Sequence, residues 1–274
     1  AEAGAPLPSF PLPGVIRAEV SVNSSEASSD NVAGILRGRH ARLRQEYVVV
    51  SAHLDHLGTG AAINGDSIYN GAMDDAAGVA SLLEIARLLK ASAPRRSVIF
   101  VAVTGEEEGL LGSRHFAASP PVDRQAIVAD LNLDMFQPLH ALRLLTVYGL
   151  DGSSLGRDVR AVARQFGVGV QGDQAPERNL FVRSDHDSFI RAGIPSLSFQ
   201  FGFTKGSREE MIQNRWLKER YHAPSDDTAQ PVDLAAAARF NRLIAALASR
   251  IANQPQRPQW NANSFFRRFA RSGN

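Results

Sequence analysis

The chain has 274 residues, 44% of them hydrophobic and 21% charged, which excludes a disordered, collagen-like or coiled-coil protein and fits a single large α/β domain. It contains no cysteine, so disulfide bonds, thiolate metal sites and cysteine nucleophiles are excluded, and nitrogen and oxygen atoms must hold any metal. The net charge is +2, and its positive excess lies at the C-terminus, where the chain from Arg239 onward has seven arginines and no acidic residue. Within the body of the chain, no basic cluster is interleaved with aromatic residues. No nucleic-acid partner is therefore expected.

The two ends of the chain differ in composition from its body. Residues 1–14 contain four prolines and lack the charged and apolar regions of a signal peptide, so we interpret them as a linker or a processed end. We interpret residues 15–254 as one domain and residues 255–274 as a basic tail that docks on it. No apolar run approaches the ~18 residues that a membrane-spanning helix needs, so no membrane span is expected.

The predicted elements alternate between strands and helices. Two segments of alternating hydrophobicity, residues 15–22 and 31–36, are predicted as edge strands, and the apolar run at 47–53 as a central strand covered on both faces. The later predicted elements are, in order, a helix through residues 79–89, a strand at 97–105, a short helix at 110–116, strands at 127–133 and 142–148, a helix at 154–166, a strand at 196–201 and a helix through 240–251. This order predicts an α/β three-layer sandwich with a largely parallel, mixed central sheet, whose ligands bind at the carboxyl ends of the strands.

Side chains that bind metals follow the predicted strands. They form five short groups: His53–His56, Asp74–Asp75, Glu106–Glu108, Asp134 and Tyr221–His222. Each group alone has a structural explanation, since a histidine at a strand end is often hydrogen-bonded within the fold and Asp before a helix is a common N-cap. Together, two histidines and three carboxylates match the ligands of two divalent ions in a hydrolase, roughly 3.5–4 Å apart. This ligand set is compatible with zinc, cobalt or manganese.

A catalytic site of this kind also needs a base and support for its ligands. One glutamate of the run at 106–108 can act as the base, because adjacent side chains at a strand end diverge. Asp55 lies two residues after His53, so on a strand-like segment it shares a side with that residue. We expect its carboxylate to accept the ring proton of His53 that metal binding does not use.

The ordered motifs resemble those of the co-catalytic dizinc aminopeptidase family of zinc exopeptidases, in its leucyl aminopeptidase-like form. The matching stretches are SAHLDHLG at Ser51, NGAMDDAAGVASLLEIAR at Asn70, TGEEEGLLGSRHF at Thr104, NLDM at Asn132, RSDHDSFIRAGIPSL at Arg183 and RYHAPSDD at Arg220. They extend from Ser51 to Asp227, and their joint order and spacing make a chance match implausible.

The resemblance implies a role for each matching residue. The implied ligands are His53 and Asp134 for the first zinc, Glu107 and His222 for the second, and Asp74 as the carboxylate that bridges them. Glu106 would be the general base and Glu108 a variable position. Tyr221 would donate a hydrogen bond to the carbonyl oxygen of the substrate. Asp75 stands where the family often has Asn, and we expect it to act as a helix cap.

The implied activity is removal of the N-terminal residue from peptides with a free N-terminus, by a water molecule that two zinc ions activate. Relatives often carry a protease-associated domain, so we expect one upstream in a longer precursor, and a secreted or periplasmic location. The segment SDHDSF, at residues 184–189, is either a polar helix start or a substrate contact.

Three alternatives share the fold that the resemblance implies. A glutamate-releasing carboxypeptidase would need a basic pocket, and the arginines that keep this possible are Arg178, Arg183, Arg208 and Arg215. A glutaminyl-peptide cyclase would bind one zinc, which the five implied ligands argue against. An inactive binding module would usually have lost ligands, and none is lost here. Outside this fold, a phosphoesterase would need a phosphate clamp, and no motif indicates one.

Overall fold

A computed structural model describes residue 11, residues 13–15 and residues 17–270 of the chain. The predicted linker therefore lies mostly outside the described residues, as do the last four residues of the tail. In the described part, the strands are β1 (Val32–Leu36), β2 (Tyr47–His53), β3 (Gly58–Ile63), β4 (Asp66–Tyr69), β5 (Ser97–Val103), β6 (Ile127–Asn132), β7 (Leu144–Tyr148), β8 (Gly169–Gln171) and β9 (Ser196–Phe201). Its α-helices are α1 (Ala77–Ser92), α2 (Leu111–Ala118), α3 (Leu155–Gln165), α4 (His186–Arg191), α5 (Arg208–Glu219) and α6 (Leu234–Asn253).

Seven of the described strands form one mixed sheet in the order β1-β5-β2-β6-β9-β7-β8. The four strands β5, β2, β6 and β9 are parallel to one another. The strands β1 and β7 run antiparallel to their neighbours β5 and β9. The predicted largely parallel, mixed sheet is therefore confirmed, with β2 inside it and β1 at one edge.

Helices cover both faces of this sheet. On β2, Val48 and Val50 pack into a core cluster with residues of α1, α3 and α6, whereas Val49 packs with Phe116 of α2 and Phe189 of α4. The three valines are fully buried, as expected for a β-branched run at the centre of a parallel sheet. This arrangement confirms the predicted three-layer sandwich.

Parts of the predicted element list differ from the structure. The described residues of the predicted strand at 15–22 form no strand, and Val20 and Val22 are exposed. The hairpin β3–β4, the short strand β8 and the helix α5 were not predicted. The hairpin is mostly exposed and α5 buries only Gln213 and Trp216, so neither shows a clear apolar period.

The described part of the C-terminal tail contacts the body. The Arg257 side chain donates to Glu46 at 3.0 Å, and the ring of Phe266 stacks on Phe181 with 4.7 Å between centroids. The domain boundaries at residues 14 and 254 stay predictions. Of the helices within the described residues, none combines the length and hydropathy that crossing a membrane requires.

Candidate metal centre and active site

The side chains predicted to follow the strands meet at the carboxyl-terminal end of the sheet. His53 is the last residue of β2, Glu106 and Glu107 follow β5, and Asp134 follows β6. Because these three strands are parallel neighbours, their carboxyl ends lie side by side. Two loops bring the remaining predicted ligands, one before α1 and one after α5.

The carboxylate of Asp74 lies between two histidines. Its Oδ1 is 3.1 Å from Nε2 of His53, and its Oδ2 is 3.4 Å from Nε2 of His222. The same His53 nitrogen is 3.5 Å from Oδ1 of Asp134, and the same His222 nitrogen is 3.2 Å from Oε2 of Glu107. The five predicted ligands thus form two groups that share Asp74.

These distances fit groups that hold metal ions. Two ligand atoms bound about 2.0–2.1 Å from one tetrahedral ion lie roughly 3.3 Å apart, and the separations observed here are 3.1 to 3.5 Å. In each group, Nε2 of one histidine faces oxygens of two carboxylates, although a ring nitrogen can donate at most one hydrogen. A cation between these atoms would satisfy all of them, so the residues present fit two divalent cations.

The ionisation of the two acidic ligands reflects the same contacts. Burial opposes ionisation of Asp74, but hydrogen bonds with His222 and His53 hold its pKa well below the usual range. Burial likewise opposes ionisation of Glu107, whose contacts with His222 and His56 lower its pKa to about 2. Both side chains are therefore carboxylates at neutral pH, the form that binds cations.

Glu106 has a different environment from its neighbour Glu107. Burial, followed by the negative charge of Asp134, raises the pKa of Glu106 to about 9. The backbone amide of Glu106 donates to Oδ1 of Asp55 at 3.4 Å. Its side chain lines the same cavity as Asp74 and Asp134 but is not part of either ligand group. This position suits a group that exchanges protons rather than one that binds a metal.

Asp55 contacts His53 through a different atom from the one expected. Nδ1 of His53 lies 3.0 Å from the backbone carbonyl oxygen of Asp55, whereas the Asp55 carboxylate accepts from the amide of Glu106. The expected carboxylate contact is wrong because β2 ends at His53, so the alternation of a strand does not continue to Asp55. The carbonyl oxygen still contacts Nδ1 of His53, the ring nitrogen opposite Nε2. This contact orients Nε2 towards Asp74.

Asp75 is buried and holds three segments together. Its Oδ1 accepts the amides of Gly78 at 3.1 Å and Met135 at 3.2 Å, and its Oδ2 accepts the amide of His53 at 3.2 Å. The bond to Gly78, in the first turn of α1, is the expected helix-start contact. Because backbone amides occupy both oxygens, Asp75 is less suited than Asp74 to hold a metal with His53.

Two residues near the predicted ligands were not expected to contribute. Asp226 is buried, and its two oxygens accept the amides of Met73 at 2.8 Å and Asp74 at 3.1 Å. His56 Nδ1 lies 2.9 Å from Oε1 of Glu107, so it holds the oxygen that faces away from His222. Both residues belong to the quoted motifs, but nothing in the sequence distinguishes Asp226 from its neighbour Asp227.

A cavity of about 650 Å³ opens onto three of the predicted ligands with acidic side chains and onto His222. The Tyr221 ring lines it and stacks on the His222 ring, with 3.8 Å between centroids. Burial, followed by the charge of Asp74, raises the pKa of Tyr221 to about 12, so its hydroxyl remains a hydrogen-bond donor at neutral pH. Arg178 and Arg183 also line the cavity.

The remaining residues that the sequence singles out lie at the helices α4 and α5. Arg208 and Arg215 are on α5 and are not among the residues that line the cavity. In the SDHDSF segment, Asp185 directly precedes α4 and His186 is its first residue. Both are buried, and His186 also lines the cavity. The segment therefore is a helix start, with one of its side chains next to the site.

Known proteins show similarity to most of the chain. The sequence model of Peptidase family M28 matches residues 31–248. The chain is 30% identical over 195 residues to an aminopeptidase of Pseudomonas aeruginosa, covering 66% of this chain and 34% of that protein. It is 29% identical over 209 residues to an aminopeptidase of Bacillus subtilis, covering 73% and 40%.

A similar solved structure is that of a zinc aminopeptidase from Bacillus subtilis. It superimposes with a TM-score of 0.62 and 26% identity, covering 82% of this chain and 50% of that one. The chain therefore spans half or less of the length of these relatives. The similarity concerns the α/β domain described above.

Proposed function

The chain belongs to Peptidase family M28, and from this membership and the geometry of the site we propose that it is a dizinc aminopeptidase acting on peptides with a free N-terminus. The observation that carries the proposal is the position of Asp74, with one oxygen towards each of the two histidines. A carboxylate shared in this way suits two ions that act on one water molecule. The names of the relatives support the same activity.

The proposed reaction assigns roles to two residues of the cavity, Glu106 and Tyr221. Two divalent ions held there would lower the pKa of a water molecule and polarise the scissile carbonyl group. The positive charge of the two ions would also lower the raised pKa of Glu106, so that this side chain is ionised at neutral pH. Glu106 then takes the proton of this water as it attacks the carbonyl carbon and passes it to the departing amine. Tyr221 donates its hydroxyl hydrogen to the oxyanion that develops on the substrate.

The amino end of a peptide carries a lone pair that a zinc ion can bind. Asp74 and Glu107 are ionised at neutral pH and lie at the wall of the cavity, together with Asp134. Two bound divalent cations would offset these negative charges, and a free amine could then bind one of the ions through its lone pair. The N-terminal residue is therefore the one that we expect to be removed.

The direction of cleavage is tested with a panel of aminoacyl anilides and their N-acetyl derivatives on zinc-loaded protein. We expect hydrolysis of the free aminoacyl anilides and none of the acetylated ones, because acetylation removes both the charge and the lone pair of the amine. Equal cleavage of blocked and unblocked substrates would contradict the proposal.

A carboxypeptidase is the second candidate, because Arg178 and Arg183 line the cavity and could pair with a terminal carboxylate. Such an enzyme would tolerate N-acetylation and fail when the C-terminus of the substrate is amidated. A panel of peptides blocked at one end or the other therefore separates the two candidates in one experiment.

A further inference from the structure

One wall of the cavity is polar because of the register between two strands. In the antiparallel pair β7–β9, Thr146 lies opposite Gln200 and Tyr148 lies opposite Ser198. All four side chains line the cavity. The residues between them, such as Val147 and Phe199, point to the other face and pack in the core. The strand pair thus presents four hydrogen-bonding side chains together, which we call the polar wall.

Hydrogen bonds hold the polar wall in place. The Tyr148 hydroxyl donates to Oε1 of Gln200 at 3.1 Å, and Nε2 of Gln200 donates to Oε1 of Gln137 at 2.7 Å. Nε2 of Gln171 donates to the Thr146 hydroxyl at 2.9 Å. Since the tyrosine donates its only hydrogen and the threonine accepts one, the wall retains a free acceptor on Tyr148 and a free donor on Thr146. It can therefore bind a group that both donates and accepts.

The polar wall lies close to the metal-binding residues. β9 pairs with β6, and Ser198 lies opposite Asn132, two residues before Asp134. Adjacent strands are about 4.8 Å apart, so the wall begins roughly one strand spacing from the strand that carries Asp134. Asp134 and the wall line one continuous cavity. A residue whose backbone is held at the metal centre can thus extend its side chain to the wall.

Charges around the polar wall have opposite signs. Asp173, Arg178 and Asp134 line the same cavity, and the two aspartates raise the pKa of Tyr148 while Arg178 lowers it. Burial is the larger cause and raises this pKa to about 12. Asp134 is a candidate metal ligand, whose charge a bound cation would offset. The charges of Asp173 and Arg178 oppose each other, so the wall does not favour a side chain of either sign. A buried polar wall also disfavours an aliphatic side chain, which would leave its groups unpaired.

We propose that the polar wall is the side-chain subsite of the enzyme and selects substrates whose N-terminal residue carries an uncharged hydrogen-bonding side chain, above all the amide of Gln or Asn. The inference rests on the proposed aminopeptidase function and specifies its substrates. An amide has one acceptor and two donors, which matches the acceptor on Tyr148 and the donor on Thr146.

The test uses the zinc-loaded protein and compares substrates whose N-terminal residues are nearly isosteric. We expect kcat/KM for the glutaminyl anilide to exceed that for the methionyl anilide by about tenfold or more, since Met fills a similar volume without hydrogen bonds. The glutaminyl anilide should also exceed the glutamyl and lysyl anilides. Thr146→Val and Tyr148→Phe should each reduce the ratio of Gln to Met, because each removes one of the two groups that bind the amide. Tyr69→Phe, on the exposed hairpin, is the matched control and should leave the ratio unchanged.

Several outcomes would overturn the subsite while leaving the aminopeptidase function intact. These are a preference for Met or Leu, a preference for Glu or Lys, and a ratio that does not respond to Thr146→Val or Tyr148→Phe. If no anilide is cleaved, calorimetric titration with free L-glutamine and L-methionine decides. Tighter binding of glutamine that Tyr148→Phe weakens would support the subsite and refute the proposed activity, whereas equal binding of the two amino acids would refute the subsite.

Discussion

Asp226 holds the backbone of Asp74 by accepting amide hydrogens on both of its carboxylate oxygens, one from Met73 and one from Asp74 itself. Asp226 lies four residues after His222. The loop that supplies one histidine therefore also positions the carboxylate that this histidine faces. Neither contact involves an atom of the predicted ligands that could bind a metal, so Asp226 supports the site without occupying it.

Replacement of Asp226 should weaken metal binding and the fold together. In Asp226→Ala, the amides of Met73 and Asp74 lose their acceptors, at a cost of about 1–3 kcal/mol for each buried donor left unpaired. We expect lower unfolding free energy by chemical denaturation and weaker zinc retention on dialysis. Asp227→Ala is the control, because that side chain accepts only an amide in its own exposed turn. Equal effects of the two substitutions would argue against the supporting role.

The shared position of Asp74 predicts how metal content responds to substitution. Asp74→Ala should lose both ions together, whereas His222→Ala should weaken mainly one, because His222 contacts only one of the two groups. Elemental analysis after equilibration with limiting zinc measures this. Asp66→Ala, in the exposed hairpin, should retain both ions. Retention of two ions by Asp74→Ala would refute the shared carboxylate.

The first and third glutamates of the run at 106–108 should differ in their effect on catalysis. Glu106→Gln should keep the metal content and lower kcat by about 10²- to 10⁴-fold, the usual contribution of a general base. Glu108 is exposed and does not line the cavity, so Glu108→Gln should leave kcat unchanged. Steady-state kinetics and metal analysis on the same preparations test both. An active Glu106→Gln enzyme would show that the base is another residue.

A side chain at Gly78 should displace Asp75. A Cβ atom there would lie 2.1 Å from the carbonyl oxygen of Leu133 and 2.3 Å from the Asp75 carboxylate. Gly78→Ala should therefore cost about 1–3 kcal/mol of stability by overpacking and reduce zinc affinity. Gly34→Ala, with open space around it, should do neither. Thermal unfolding of both variants distinguishes the contact from a general effect of glycine replacement.

The buried imidazole of His186 should make the protein sensitive to acid. Burial lowers its pKa to about 4 from 6.5, although the charge of Asp134 opposes this. The unfolded chain therefore binds the proton first as the pH falls from about 6.5 to about 4, and the folded state loses up to roughly 3 kcal/mol of stability over this range.

Substitution of His186 should remove this part of the pH dependence. The unfolding free energy of His186→Leu should fall less between pH 7 and pH 4.5 than that of the unsubstituted protein, both measured with a chelator present. His115→Leu changes an exposed histidine on α2 and should not alter the slope. Parallel curves for all three proteins would contradict the expected role of burial.

The sequence predicts the sheet and the place where the candidate ligands meet, because both depend on local patterns. The apolar run that forms β2 ends at His53, and the run that forms β5 stops shortly before Glu106 and Glu107. Parallel strands then align these ends without further information. The predicted edge strand at 15–22 shows the limit of the same reasoning, because alternation alone does not provide a neighbour to pair with.

The residues that hold the candidate ligands in place were not predictable in this way. Asp226 acts on a backbone amide 152 positions away, and His56 faces Glu107 only because two loops meet. For Asp55, the sequence predicts the residue that contacts His53 but not the contacting atom. The path of the chain after His53 places the backbone carbonyl oxygen of Asp55, rather than its carboxylate, next to the ring. Such contacts depend on the tertiary approach of loops rather than on sequence periodicity.

The long sequence separation between Asp74 and Asp226 has a consequence for folding kinetics. A partly folded chain that contained only β2, α1 and β5 would bring His53 and Glu107 together but would lack both His222 and the anchor of the Asp74 loop. Contacts between distant segments form late, because closing a long loop costs entropy before they can compensate for it. Tight zinc uptake during refolding should therefore coincide with the last cooperative step. The time course of zinc binding would then report when the native state is complete.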